Sequence, residues 1–153
     1  MRLSELLSPQ DFLTGVEATT KEALFDLLVD ALVARHPELD ARLVLRRLHA
    51  REQQASTGIG SAVALPHAMM PEIEDNILLA CTLRQPLDYD DEGRGPVRVV
   101  FVLLSPADRP GMHIKILARI ARLCNESGFV DALSAAPDPA GAYAVLRRFE
   151  ARC

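Results

Sequence analysis

A chain of 153 residues, 49% hydrophobic and 25% charged, has the length and balance of one globular domain, able to bury about two thirds of its unfolded surface without a disulfide or metal to brace it. Its net charge of −4, with acids gathered at Glu72 to Asp75 and Asp88 to Glu92, excludes the basic stripe that a nucleic-acid backbone requires. Apolar runs such as Val99 to Leu104 are too short for direct membrane insertion, since a span needs about 20 residues.

The opening MRLSELLSPQ lacks the apolar core and cleavage pattern of a signal peptide, so a cytoplasmic location is expected. Thr19-Thr20-Lys21-Glu22 predicts a helix start in which Thr19 caps and Glu22 completes a capping box. That helix runs to about Arg35, buries Ala23, Leu24, Leu27, Leu28, Ala31 and Leu32 as one stripe, and ends at His36-Pro37. Asp40 caps a second helix reaching about Arg51, with Leu43, Val44, Leu45 and Leu48 inward and Arg42, Arg46 and His49 on an outer face. Arg51 breaks the pattern. Seven residues after Val44 and three after Leu48, it falls at the end of the buried stripe rather than on the wet face.

Gln53 to Ser61 reads as loop on the strength of Thr57-Gly58-Ile59-Gly60. Val63 to Leu65, Ile77 to Leu83 and Val97 to Leu104 read as strands of a sheet covered on both faces, joined in part by an exposed loop from Asp88 to Pro96. A helix of about 14 residues follows Ser105 to Gly111, with Lys115, Arg119, Arg122 and Glu126 on its solvated face and Ser127-Gly128 as its stop. A short helix near Phe129 to Leu133 comes next. A C-terminal helix from about Ala140, with Ala142, Val145, Leu146 and Phe149 inward, finishes the chain. Strands interleaved with helices predict an α/β fold: a single domain over residues 1–153, with a mixed, mostly short-stranded sheet of about five strands flanked by helices on both faces.

Several chemistries are absent from the pattern. Gly58-Ile59-Gly60 is followed by no Gly-Lys-Ser/Thr, so no P-loop is present, and there is no Gly-x-Ser-x-Gly elbow. The histidines at 36, 49, 67 and 113 lack metal-site spacing, and Cys81, Cys124 and Cys153 match no metal site or disulfide framework, so neither a metal nor a cofactor is expected and the thiols read as reduced. Two histidines remain in unusual places. His67 follows Pro66, whose ring presents it rigidly at a strand end. His113 stands in the first turn of its helix, where free amides and the positive dipole end favour an anion. Taken singly, each has an ordinary structural reading: His67 and His113 as packed residues, Arg51 paired with Glu52 or snorkelling, and Thr57 to Gly60 as a turn.

Taken together, Ala50-Arg51-Glu52, Ser56 to Gly60 and Val63-Ala64-Leu65-Pro66-His67 resemble the signature of the enzyme IIA components of the fructose/mannitol class (EIIA type-2) in the bacterial phosphoenolpyruvate:sugar phosphotransferase system. The likeness extends to Leu3 to Pro9, Lys21 to Leu24, and Leu103 to Asp108 followed by His113, covering nearly the whole chain. The free-standing length and the opening look most like the nitrogen-regulatory branch. The resemblance implies that His67 accepts a phosphoryl group, as a tele-phosphohistidine, from a small histidine phosphocarrier protein resembling HPr. It implies a transferase that works by a covalent intermediate and regulates targets such as kinases or transporters. Imidazole suits the step, being substantially neutral and nucleophilic near pH 7. Arg51 then supplies a planar cation, His113 a donor nitrogen, and Ser56, Thr57, Gly58 and Gly60 hydroxyls and amides for the phosphoryl oxygens. Two other functions fit the same resemblance: a sugar-specific IIA passing phosphate to a permease, or a binding module that keeps the fold without phosphotransfer.

The chain departs from the family pattern in two places. Gly60-Ser61-Ala62 stands where Gly-Asn-Gly is usual, and His67-Ala68-Met69-Met70 where His-Gly-Lys or His-Gly-Arg is usual. Carrier docking is expected over an exposed apolar and acidic surface around Met69 to Asp75.

Overall fold

In the computed structural model, which describes residues 1–90 and 93–153, the chain runs α1 (Leu3–Leu6), a 3-10 turn (Pro9–Asp11), β1 (Phe12–Val16), α2 (Lys21–Arg35), α3 (Ala41–Gln54), β2 (Gly58–Gly60), β3 (Val63–Ala64), β4 (His67–Met70), β5 (Ile77–Leu87), β6 (Val97–Pro106), α4 (Pro110–Cys124), α5 (Phe129–Ala135) and α6 (Pro139–Glu150). The sheet order is β1-β5-β6-β3-β2, and β4 also pairs with β6. β6 is antiparallel to β5 and parallel to both β3 and β4. The α/β class, the mixed sheet and the helices on both faces agree with expectation, with six strands rather than about five.

Alternation along β6 divides the core into two. Val99, Phe101 and Leu103 join Ile116 and Ile120 of α4, Phe129 and Leu133 of α5 and Leu146 of α6. Val100, Val102 and Leu104 join Leu24, Leu28 and Leu32 of α2 and Val44 and Leu48 of α3. A strand covered on both faces has no use for an alternating polar face, which is why β6 is apolar nearly throughout.

The helices correct several expectations. Thr20, not Thr19, caps α2, accepting from the Ala23 amide. Phe25 and Val29 are buried, whereas Leu27 is exposed. The helix is apolar around much of its circumference, so packing rather than period selects the inward face. α3 is capped by Asp40 as expected but continues to Gln54, and His49 lies half-buried against Phe25 rather than on an outer face. Among the loop expectations, Gly58 to Gly60 pairs with β3 as a strand. In the segment Asp88 to Pro96, Tyr89 is buried, residues 93–96 are exposed, and Asp91 and Glu92 lie outside the described residues. The cysteines are free, with burial pushing the Cys81 and Cys124 thiols up to about 12.

The turn from β2 to β3 explains one departure from the family pattern. Ser61 and Ala62 both adopt positive φ, 55° and 63°, where the Asn-Gly of a tight hairpin turn carries little strain. The backbone is nevertheless held, because the amides of Arg98 and Val99 both donate to the Ala62 carbonyl. Ala62→Gly should therefore stabilise the protein by about 1 kcal/mol, relief of the left-handed strain outweighing the added chain entropy of the unfolded state. Chemical denaturation should show a raised midpoint at unchanged slope.

Candidate functional site

Proline has no N–H to give a ladder, so the run along one edge of β6 is interrupted at Leu65 and Pro66. β3 stops at Ala64 and β4 begins at His67, while the Leu103 amide donates to the Pro66 carbonyl at 3.0 Å and keeps both strands on the same edge. His67 thus opens a strand rather than ending one. Ala68 and Met70 turn into the α2–α3 core, so by alternation His67 and Met69 face the side of the sheet on which α4 packs.

The imidazole of His67 is held by both nitrogens. Nδ1 lies 2.7 Å from the Leu65 carbonyl; a carbonyl only accepts, so Nδ1 carries the proton and Nε2 keeps its lone pair. Arg51 donates from Nε to that Nε2 at 3.2 Å and from Nη1 to the Ala55 carbonyl at 2.9 Å. Its anomalous place on the buried stripe leads to His67, not to Glu52. From α4, His113 brings its ring to a centroid distance of 5.1 Å from that of His67. Its Nδ1 lies 2.6 Å from Ser105 Oγ at the end of β6. Among the described residues this is the one hydrogen bond of the fully buried Ser105 hydroxyl. A buried O–H donates where it has an acceptor, so it points at Nδ1 and leaves Nε2 of His113 protonated.

Electrostatics keep both rings neutral. Burial lowers the His67 pKa, and the Arg51 cation lowers it further, against the Leu65 carbonyl and the Glu52 carboxylate, which raise it. His113 is driven down to about 4 by burial and by repulsion from His67 and Arg51. Near pH 7 the pocket therefore holds an imidazole whose Nε2 is unprotonated and accepts from one fixed cation, Arg51. Such a ring can attack an electrophile and later leave from it.

The Ser56 to Gly60 loop is tied to its neighbours by several hydrogen bonds. Thr57 is buried, its amide donating to Glu52 at 2.9 Å and its hydroxyl also bound to Glu52. Ser56 Oγ donates to Asp90 and accepts from the Gly58 amide at 3.1 Å. Gly60, at φ 83°, ends β2. The Thr57 carbonyl accepts from the Leu65 amide at 2.9 Å, so the loop reaches His67 through the residue that orients it. Sequence reasoning missed Ser105 and the buried carboxylate of Glu52 with its partners Thr57, Tyr89 and Lys21, which come together from separate segments.

The residues that depart from the family pattern are structural in β4. Ala68 and Met70 are buried, correcting the expectation of an exposed surface from Met69 onward, and only from Pro71 to Asp75 is the stretch largely open. Arg47, one turn before Arg51, spans from α3 to Glu72 with both Nη groups and touches Met70 Sδ at 3.4 Å. Among the described residues no three His, Cys, Asp or Glu side chains gather as a metal site, and no helix is long and apolar enough to cross a membrane.

Comparison with known proteins follows the same lines. Residues 5–149 match the family model described as phosphoenolpyruvate-dependent sugar phosphotransferase system, EIIA 2. The chain is 32% identical over 149 residues to a nitrogen regulatory protein of Bradyrhizobium diazoefficiens and 30% identical over 146 residues to one of Pseudomonas aeruginosa, covering 95% of both chains in each case. Its fold superposes on the nitrogen regulatory protein IIA-Ntr of Neisseria meningitidis with a TM-score of 0.86 at 26% identity, over 94% of this chain and 98% of that one. It superposes on the mannitol IIA of Escherichia coli with a TM-score of 0.77 at 14% identity, over 92% and 98%. With a family match that spans nearly the whole chain, the protein belongs to the EIIA type-2 family of the phosphoenolpyruvate-dependent sugar phosphotransferase system, a phosphotransfer component similar to the family's nitrogen-regulatory members.

Proposed function

We propose that Nε2 of His67 accepts a phosphoryl group from a small histidine phosphocarrier protein, and that the resulting state of the site governs regulatory partners such as kinases or transporters. The observation that carries this reading is the Nδ1–H to Leu65 carbonyl bond, which leaves Nε2 unprotonated, with its lone pair toward Arg51 and the His113 ring nearby. In the transfer, the Nε2 lone pair attacks phosphorus as the carrier's N–P bond breaks, and the carrier's imidazole leaves with that electron pair. The proton stays on Nδ1 throughout, donated to the Leu65 carbonyl. Arg51 offers planar donors to the phosphoryl oxygens, and the Nε2–H of His113 offers another. The loop from Ser56 to Gly60 serves chiefly by holding these groups in place, through Ala55 to Arg51 and through Thr57 and Leu65 to His67.

Close approach of the carrier's histidine is required. Met112 and Ile114, 36% and 65% exposed on either side of His113, give an apolar rim, and the exposed acids Glu74 and Asp75 flank an open cleft with Pro71 and Asp108. The regulatory role is supported by the relatives named nitrogen regulatory proteins. The test is incubation with enzyme I, the carrier and phosphoenolpyruvate, followed by intact-mass and peptide mapping and by nitrogen NMR of the labelled ring. One acid-labile phosphoryl group on Nε2 of His67 is expected; a label on another residue, or none, would overturn the reading.

A further inference from the structure

Beside the site lies a buried acid that the proposed reaction does not use. The Glu52 side chain is 6% exposed and accepts from four donors on three other segments. These are the amide and hydroxyl of Thr57, the Tyr89 hydroxyl at 2.9 Å and Lys21 Nζ at 3.0 Å. Lys21 also lies 4.2 Å over the Tyr89 ring. A carboxylate removed from water is tolerated only when its lone pairs are filled and its charge is matched, and both conditions are met here.

From this acid two paths lead to the two nitrogens of His67. Along the first, Glu52 holds Thr57, whose carbonyl takes the Leu65 amide, and the Leu65 carbonyl takes Nδ1–H of His67. Along the second, Glu52 pins the last turn of α3 against the loop, and the adjacent Arg51 spans from the Ala55 carbonyl to Nε2 of His67. We propose that Glu52 is a positioning residue for phosphoryl acceptance: its carboxylate sets the tautomer of His67 and the register of Arg51, and among the described residues it is the negative charge that opposes Arg51 at the imidazole. This rests on the reading of His67 as the acceptor. Among the described residues, the charged and titratable groups facing His67 are Arg51 and Glu52 from α3 and His113 from α4, while Arg47 is taken up by Glu72.

The distinguishing consequence is one of sign. Arg51 lowers the affinity of His67 for protons and Glu52 raises it, so Glu52→Gln should move the His67 titration to lower pH. Gln keeps an acceptor oxygen of similar reach, so the fold should survive. Nitrogen and proton NMR titration of the unphosphorylated protein reads both the midpoint and the tautomer, with His36, paired near Glu38, as an internal reference. The expected result for Glu52→Gln is a His67 midpoint shifted down, a weakened Nδ1–H tautomer and an unmoved His36. Phosphoryl acceptance by Glu52→Ala should fall by about 10²-fold, as follows from misplacing a reacting group by about 1 Å, and Glu52→Asp should recover part of it.

Tyr89→Phe removes one donor and leaves the charge, so it should disturb the midpoint least. If Glu52→Gln leaves both midpoint and tautomer at wild-type values, or moves them equally with His36, the proposal fails. That outcome is separate from failure of His67 as acceptor, because the titration needs no carrier protein.

Discussion

His67→Ala should take up phosphoryl groups at a rate about 10⁴-fold or more below wild type, the scale of loss expected when the covalent nucleophile is removed. No neighbour can substitute. The His113 ring is only 7% exposed and has its Nδ1 engaged by Ser105, His49 stacks on Phe25, and His36 sits beside Glu38. The fold should persist, because His67 enters β4 by its backbone pairing opposite Leu103 and its side chain is only half-buried. Radiolabel incorporation under matched carrier concentrations checks the rate, and amide NMR checks the fold. Labelling within tenfold of wild type in a folded variant would place the acceptor elsewhere.

Arg51→Ala should slow acceptance by about 10²- to 10³-fold, comparable to deleting one preorganised donor to a developing anion. The same change should alter the pH profile. As the proposed acceptor, His67 would react as the neutral ring, so the rate should be on its plateau above the His67 pKa and fall as pH drops through it. In the wild type that pKa lies below the ordinary histidine value, by burial and then by Arg51. Removing the cation raises it, and the acid limb should therefore begin at higher pH. Rate measurements from pH 5 to 8 separate the two effects, since a purely steric loss would lower the plateau without moving the limb. The shift is opposite in sign to that expected for Glu52→Gln.

Much of the architecture was readable from local pattern. Asp40 capping α3, the apolar run of β6 and the inward set of α6 depend on residues near one another in sequence. β1 and β4 were missed because their strand character comes from a distant partner, and β2 because its residues Gly58 to Gly60 read as a turn beside the short strand they pair with. β4 is only Pro66 followed by His67, Ala68, Met69 and Met70 until Leu103 to Pro106 lies beside it, and β1 pairs with β5 across an irregular register around Gly15. At the site, Arg51 stood out because a cation on an apolar stripe violates periodicity, and His113 because it opens a helix. Glu52, Tyr89 and Ser105 gave no such signal. Their partners come from separate segments, and nothing in a local window marks a buried carboxylate that a remote tyrosine and lysine will satisfy.

The division of the core along β6 has a consequence for regulation. Arg51 arrives on the helix layer of one half-core and His113 on that of the other, and they meet at a single imidazole. Any ligand of that imidazole that engages both groups binds only when the two layers are in register, so its binding free energy adds to the resistance of the whole chain to unfolding. By the same linkage, if His67 is the acceptor, a partner that grips either helix layer would change how readily the ring takes or yields its group. On the proposed reading, a chain this small would need no moving domain for a partner to sense the state of the site.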